Sequence, residues 1–598
     1  MPSYTAPIED SLFVLNDVLQ IQKYNNLPGF ADATPDMVEA ILSEAGKLAG
    51  EVLHPLNAVG DREGCTWHDD HSVTTPKGFK EAYDLYTESG WTALPFPEEF
   101  GGQGLPTTIN AAAQEYVAAA NMAFGMYPGL TAGAAAALIE HASDEQKQTY
   151  VPKMLSGEWS GTMNLTEPHC GTDLGLMRTK AVPQDDGTYK ITGQKIWISA
   201  GEHDLSNNII HLVLARIEGA PDGIDGISLF IAPKYLLDES DNPGKRNGMS
   251  CGSLEHKMGI NGNATCVMNY EGATGYLVGV ENRGLKAMFV MMNEARLGVG
   301  IQGLSQSEIA YQNAADWARD RLQGRSISGV KNPDQKADPI IVHPDIRRIL
   351  MTIRAFNEGA RALVHWAALK GDVSHRSADD EERQAADDFM GLLTPVIKGV
   401  LTDKGFDNAV MAQQVFGGTG YTTEQGVEQF VRDARIAMIY EGANGIQALD
   451  LVGRKLPGNG GRAIQAYFKE VGKFCSAHKD NEAMSPYIKP LSKSLSDLQA
   501  ATMWLVQNGM SNPDNAGAAS TDYMHLFGLV ALGHMWGMMA NTAQEKLQAG
   551  ANGSEQFLSN KLITGKFFME RIIVESATHL ARIQTGCETM MQLDAEAF

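Results

Sequence analysis

The chain is 598 residues long, more than one hydrophobic core normally serves, so several domains are expected. Apolar residues make up 43% and charged residues 20%, the balance of an ordinary globular protein. Against 48 Lys and Arg stand 72 Asp and Glu, a net charge of −24, which argues against nucleic acid or an anionic membrane as partner but leaves room for a local pocket that takes an anionic ligand.

The opening MPSYTAPIEDSLFVLNDVL has no basic segment followed by an apolar core, so no signal peptide is expected. Residues 34–155 carry apolar positions at helical spacing, as at Met37, Ile41, Ala45 and Leu48, broken by a Pro- and Gly-rich loop over 95–106. The texture changes near Gly161. Strand-like runs over 189–198, 209–217, 226–232 and 266–270, bounded by Gly, Asn, Asp and Pro, predict a β block. Helical periodicity returns at Gly284, and Pro344 predicts a helix start, with Ile346, Ile349, Leu350, Ile353 and Ala360 on one face. PGNGG at 457–461 reads as a domain boundary, and the remaining stretch is again helical and rich in Met, Ala and Leu. Four domains are expected: helical over 1–160, β over 161–282, helical over 283–456 and helical over 463–598. The longest apolar run, 526–540, is interrupted by Gly528, Gly533, His534 and Gly537, so no run approaches the roughly 20 residues of a membrane span. A cytoplasmic protein is expected.

Six cysteines without CxxC spacing predict free thiols in a reducing compartment. His169 and Cys170 are adjacent, and His203 and His256 are isolated, so no metal site is expected. There is no P-loop, no GxSxG elbow and no GxGxxG between a strand and a helix. Three segments carry candidate chemistry. In LTEPHCGTDLG (165–175), Thr166 and Thr172 offer hydroxyls, and Gly171 and Gly175 let backbone approach a ligand, although a plain turn would look the same. In GQKIWISAGEHD (193–204), strand period places Trp197 and Ser199 on one face, where ring and hydroxyl suit a planar cofactor; core packing is the alternative. In the segment 413–450, Gly417, Gly418 and Gly420 form a loop whose amides could meet an anion. Glu441 directly follows the apolar run 436–440, so partial burial would raise its pKa and strengthen it as a base, a solvent-facing helix-end Glu being the alternative.

In this order and domain texture, the segments resemble the acyl-CoA dehydrogenases, most strongly over 144–456. DEQKQTYVPKMLSGEW followed by LTEP and GTD resembles the family's entry into its flavin-binding β domain. ITGQKIWIS resembles its Lys-x-Trp-Ile-Ser/Thr strand, EHKMGINGNATC its Lys-x-Gly signature, and MNEARLGVGIQGLSQ the start of its long helix, with Arg296 at the usual arginine. VFGGTGY and IYEGANGIQ resemble its two C-terminal signatures.

The resemblance implies an α+β multidomain fold: a helical N-terminal domain, a central β-barrel, a C-terminal four-helix bundle and an added helical domain that places the chain with the large bacterial members. FAD and an acyl-CoA would lie between domains. Leu165, Thr166, Gly171 and Thr172 would contact flavin, with Thr172 also meeting substrate. Trp197 and Ser199 would cover the isoalloxazine. Arg321, Gln414, Gly417 and Gly418 would meet the adenosine diphosphate part, partly from a neighbouring subunit, which implies an oligomer, here a homodimer. Arg296, Tyr440 and Gly442 would bind substrate. Glu441 would remove the α proton while a hydride leaves the β carbon for the flavin. The Glu441 N–H and a ribityl hydroxyl would hold the thioester oxygen as an oxyanion hole does. Electron-transferring flavoprotein is the implied acceptor. The opening Tyr4-Thr5-Ala6-Pro7 with Phe13-Val14-Leu15 resembles the subgroup acting on 3-(methylthio)propanoyl-CoA; a short straight-chain dehydrogenase or an acyl-CoA oxidase are the alternatives. Three departures stand out. His169-Cys170 replaces small residues, RLQGR (321–325) lacks the Phe usual before the glycine, and Ala443 replaces a Thr whose hydroxyl would reach the flavin.

Overall fold

The computed structural model describes residues 2–551 and 553–598. It is a helix-rich α+β protein whose contacts group into two compact units. One comprises residues 2–43, Pro106–Glu115 and Val299–Phe598; the other comprises Glu44–Leu105 and Tyr116–Gly298.

The second unit holds every strand: β1 (Thr66–Trp67), β2 (Val73–Thr74), β3 (Trp159–Asn164), β4 (Lys180–Pro183), β5 (Tyr189–Ser199), β6 (Asn208–Ile217), β7 (Ile227–Pro233), β8 (Tyr235–Leu237), β9 (Pro243–Arg246), β10 (Met249–Leu254) and β11 (Thr265–Val278). Seven of them form one sheet in the order β10-β11-β5-β4-β6-β3, and β7 pairs with both β6 and β11. β6 pairs in parallel with β3 and β4, and the remaining contacts are antiparallel. The near-continuous apolar run of β6 fits a strand covered on both faces. Its residues alternate between two cores. Ile210, Leu212 and Leu214 join Trp159, Leu229 and Ile231 in one. Val213, Ala215 and Ile217 join Ile191, Phe230 and Tyr270 in the other.

The helix Met122–His141 corrects one expectation. It is long and apolar enough by composition to cross a membrane, although the sequence reading found no such run. Its 20 residues set Met122, Phe124, Met126, Leu130, Leu138 and Ile139 among six Ala and three Gly. Within this unit Ala134, Ala135, Ala137 and Leu138 pack into the first core, and a Cβ on Gly133 would lie 3.0 Å from Met291. The helix is a core element, 67% buried over its most apolar stretch.

The first unit is helical. Its long elements include the helix Gly284–Asp320 from Val299 onward, Pro344–Arg376, Asp380–Val415, Ser485–Gly509, Pro513–Ala549 and Glu555–Arg571. Pro344 and Pro513 open their helices, where a missing N–H costs nothing. Asp379 and Asn512 accept first-turn N–H groups. Residues 457–461 form a turn with Asn459, Gly460 and Gly461 in the left-handed region, and both flanks belong to this unit.

A buried ionic network ties its segments together. Arg361 donates to Glu115 Oε1 at 2.6 Å, to Glu308 Oε2 at 3.1 Å and to Asp10, while Lys561 donates to Asp10 and to Glu358 Oε2 at 2.7 Å. The N-terminal segment and the C-terminal Glu555–Arg571 helix thus meet on one buried guanidinium and one buried ammonium. All six cysteines are free thiols.

Candidate functional site

In the second unit, the pairing of β5 with β11 is interrupted beside Trp197. Ile198 pairs with Cys266 and Lys195 with Met268, so Ile196 and Trp197 together face Val267 in a bulge. Trp197 has φ of 59° and is 61% exposed. A bulky residue held left-handed and presented to solvent is neither core packing nor a relaxed strand residue. Ser199 is half-buried and its carbonyl accepts from Thr162 Oγ1 at 2.7 Å. The period-two argument assumed an unbroken strand, which the bulge removes.

The Leu165–Thr172 loop is pinned to this strand from beneath. Lys195, fully buried, donates to Leu165 O and to Glu167 Oε1, both at 2.9 Å. The Ile196 N–H donates to Thr166 O at 2.9 Å. Glu167 also accepts from the Arg178 N–H at 2.8 Å and from Thr179 N–H and Oγ1 at 2.9 and 2.5 Å. Burial alone would raise the Glu167 pKa, but the Lys195 charge and these hydrogen bonds hold it below its ordinary value. Burial lowers Lys195 to about 8 despite the carboxylate. Above this buried pair Leu165 and Thr166 are half-buried, and Gly171 and Thr172 are exposed. A Cβ at Gly171 would sit 3.2 Å from Thr166 Cγ2. The strand carrying the exposed Trp197 and the Leu165–Thr172 loop are thus joined at Ile196 and Thr166, and an exposed ring, hydroxyls and open backbone are groups that suit a planar, hydrogen-bonding ligand such as a flavin. Lys195 and Glu167 stand inside the Lys-x-Trp-Ile-Ser and LTEP motifs, but nothing local in the sequence marks them as a buried pair.

His169 and Cys170 lie beside Glu167, the three ligand atoms within 4.8 Å of one another. The carboxylate is already committed to Lys195, Thr179 and Arg178, and burial raises the Cys170 thiol, so the trio forms a hydrogen-bonded turn rather than a prepared cation site. His203 is buried, with Nε2 at 3.0 Å from Ser160 Oγ and Nδ1 accepting from the Leu205 N–H, and burial drops its pKa to about 3. Tyr127 is core, its hydroxyl donating to Gly262 O and accepting from the Ala264 N–H. Arg296 is buried on the helix Gly284–Asp320.

In the first unit, the helix Glu428–Arg435 runs through one short turn into Ile439, Tyr440 and Glu441. Glu441 has φ of 56° and Gly442 of 86°, two consecutive left-handed residues at the start of the helix Asn444–Asp450. For Glu such a conformation costs on the order of 1–2 kcal/mol, so the surroundings must impose it. Gln447 Nε2 donates to the carbonyls of Glu441 and Gly442, each at 3.2 Å, and a Cβ at Gly442 would lie 2.5 Å from that nitrogen. The Tyr440 hydroxyl donates to Gln302 Oε1. Burial and the Glu441 charge raise this phenol well above its usual pKa, keeping it a donor. Glu441 is half-buried.

Arg321 closes the helix Gly284–Asp320, and Gln414, Gly417 and Gly418 lie at the end of Asp380–Val415; all four are exposed. Trp317 stacks on Phe416 with centroids 5.0 Å apart, and Arg321 lies 5.9 Å from the Trp317 ring, so the four share one patch. Nothing occupies the space a Cβ at Gly418 would fill. The structure does not join this patch to the Glu441 loop. Gln302, which anchors that loop, precedes Arg321 by 19 positions on one helix, roughly 28 Å at 1.5 Å per residue.

Family models match nearly the whole chain: acyl-CoA dehydrogenase N-terminal domain over 39–158, middle domain over 162–273 and C-terminal domain over 282–456, and an acetyl-CoA dehydrogenase C-terminal-like domain over 467–594. The chain belongs to the acyl-CoA dehydrogenase family of FAD-dependent oxidoreductases. Among individual relatives, it is 42% identical to the 3-methylmercaptopropionyl-CoA dehydrogenase of Ruegeria pomeroyi over 586 residues, 98% of each chain. Two solved structures share the fold. Caenorhabditis elegans ACDH-11 in complex with C11-CoA has a TM-score of 0.77 at 18% identity, over 99% of this chain and 96% of that one. A Bacillus anthracis acyl-CoA dehydrogenase complexed with FAD has a TM-score of 0.73 at 20% identity, over 92% and 88%.

Proposed function

We propose that this protein carries out α,β-dehydrogenation of a short acyl-CoA thioester to the trans-2-enoyl-CoA, with 3-(methylthio)propanoyl-CoA converted to methylthioacryloyl-CoA. The observation that carries the reaction is Glu441, a half-buried carboxylate imposed in a left-handed turn at the head of a helix. Its role is the base that takes the α proton, and its own N–H serves as one donor to the thioester oxygen. Tyr440 and Gln447 hold the loop so that the carboxylate keeps one direction. Bound FAD supplies the hydride acceptor. Leu165, Thr166, Gly171, Thr172, Trp197 and Ser199 would hold its ring system, and Trp197 would keep water from it. Arg296, Thr172, Tyr440 and Gly442 would contact substrate.

Arg321, Gln414, Gly417 and Gly418 would hold the adenosine diphosphate part of a cofactor bound to a neighbouring chain. Their distance along the helix from the Glu441 anchor supports that reading, and with it a homodimer. The return of sheet pairing from β7 to β11 supports a closed β-barrel over the middle domain, 161–282. It would sit among a helical domain over 1–160, a four-helix bundle over 283–456 and an added domain over 463–598. Electron-transferring flavoprotein is the proposed acceptor, in the cytoplasm. The methylthio substrate rests on the name of the 42% identical relative, together with the resemblance of the opening segment to that subgroup.

The test is a panel of acyl-CoAs with a dye acceptor. Highest kcat/KM for 3-(methylthio)propanoyl-CoA supports the substrate; a preference of tenfold or more for butanoyl-CoA overturns it. Oxygen uptake with peroxide release and no added acceptor would make the enzyme an oxidase.

A further inference from the structure

The helix Pro513–Ala549, in the C-terminal part of the chain, packs unusually closely on the helix Asp380–Val415. A Cβ on Gly399 would lie 2.3 Å from Met524 Sδ, and one on Gly528 would lie 2.8 Å from Val400. Both approaches depend on the missing side chain. They set the register that brings His525, next to Met524, against Asp403, one turn beyond Gly399. His525 Nε2 is 2.9 Å from Asp403 Oδ2, and the two side chains are only 14% and 20% exposed.

Asp403 faces the turn that carries Glu441. Its Oδ1 accepts from Asn444 Nδ2 at 2.6 Å. Asn444 opens the helix Asn444–Asp450, three residues after Glu441. It also donates to Gly399 O at 3.1 Å and Thr402 Oγ1 at 2.9 Å, and accepts from Lys398 Nζ at 2.7 Å. An amide has two N–H groups, and here three acceptors compete for them. Asp403 makes the shortest of the four contacts that hold Asn444, and His525 holds the other oxygen of that carboxylate. One turn on, Gln447 holds the carbonyls of Glu441 and Gly442. The His525 ring is itself set from the same C-terminal part. It stacks on His579 with centroids 5.9 Å apart and planes 11° apart, and His579 Nδ1 lies 2.7 Å from Asp522 Oδ1.

We infer that His525 is a positioning residue for the reaction, acting through Asp403 and Asn444 to fix the turn that aims the Glu441 carboxylate. The inference rests on Glu441 being the base. It gives the added C-terminal segment a part in catalysis beyond covering the bundle.

The test compares His525→Ala, His525→Gln, Asp403→Ala, the double variant His525→Ala/Asp403→Ala and Glu441→Gln, all loaded with FAD. His525→Ala is expected to lower kcat about tenfold or more, in line with the cost of a displaced catalytic group. KM and FAD content should stay near wild type, while the unfolding midpoint falls modestly because Asp403 loses a part-buried partner. His525→Gln, whose amide N–H can reach Asp403 Oδ2, should recover most of the rate. The double variant should lose no more than the worse single one, because both break the same chain of contacts. Unchanged kcat in His525→Ala, additive losses, or a loss that tracks FAD content and midpoint without rescue by Gln would overturn the inference. Those outcomes with an inactive Glu441→Gln would leave the base assignment standing. Activity retained in Glu441→Gln would remove the base assignment itself, whatever His525 does.

Discussion

Replacing Lys195 by Met tests whether a buried ion pair builds the surface that receives the flavin. The ammonium is fully buried and holds Leu165 O and Glu167 Oε1 at 2.9 Å. Its removal leaves Glu167 with the Arg178 and Thr179 donors and with His169 Nε2 at 3.6 Å, and takes the ammonium donor from the Leu165 carbonyl, one residue before Thr166. Breaking a buried pair from one side costs about 3–5 kcal/mol, because the remaining charge is uncompensated. In the wild type the Glu167 pKa is held below its unfolded value, so its contribution is present above about pH 4.5 and is lost as pH falls through the folded pKa. In Lys195→Met the largest of the influences that lower Glu167 is gone, so its folded pKa rises from the wild-type position. The variant then gains relative stability on acidification, and its deficit should narrow between about pH 8 and pH 5. Lys195→Met/Glu167→Leu removes both charges and should recover to within about 1 kcal/mol of wild type. Chemical denaturation followed by circular dichroism reads the stability, and absorbance after desalting reads retained FAD. The single variant should lose both. A deficit under 1 kcal/mol, the same deficit at both pH values, or a double variant as impaired as the single one would refute the reasoning.

Two further predictions follow from the first unit. Burial, only partly offset by Arg361, raises Glu115 to about 7. A raised carboxylate contributes stability that is present below its unfolded pKa and lost as pH rises through the folded value. It should therefore cost on the order of 3 kcal/mol between about pH 4.5 and 7, and Glu115→Gln should flatten that slope in denaturation midpoints measured across the range. Gly442→Ala places a Cβ 2.5 Å from Gln447 Nε2 at φ of 86°; it should destabilise the turn by about 1–2 kcal/mol and lower kcat at least tenfold with FAD content unchanged, and wild-type kcat would contradict the account of the Glu441 loop.

Regular elements were legible where the pattern is local. The strand-like runs at 189–198 and 209–217 became β5 and β6 with one-residue shifts, and helices begin at Gly284 and Pro344 as the periodicity and the proline indicate. The short β1–β2 pair inside the first helical stretch had no such signal, being two residues per strand. The helix Met122–His141 was misjudged because its Met, Phe, Leu and Ile are dispersed among Ala, Gly, Thr and Pro rather than set in one continuous run. At the candidate site, motif and resemblance pointed to Trp197 and Glu441, but not to their left-handed backbone, which depends on a strand bulge in one case and on Gln447 in the other. The buried pairing of Lys195 with Glu167 spans 28 residues and shows only in the fold, and the contact between His525 and Asp403 crosses 122 residues of sequence.

The most direct measurement is anaerobic flavin bleaching by acyl-CoA in purified Glu441→Gln. The amide keeps the size of the side chain and removes its basicity. FAD content and ligand binding should match wild type, and the substrate should fail to bleach the flavin. Bleaching at a near-wild-type rate would show that another group takes the α proton, and the assignment of Glu441 would be wrong.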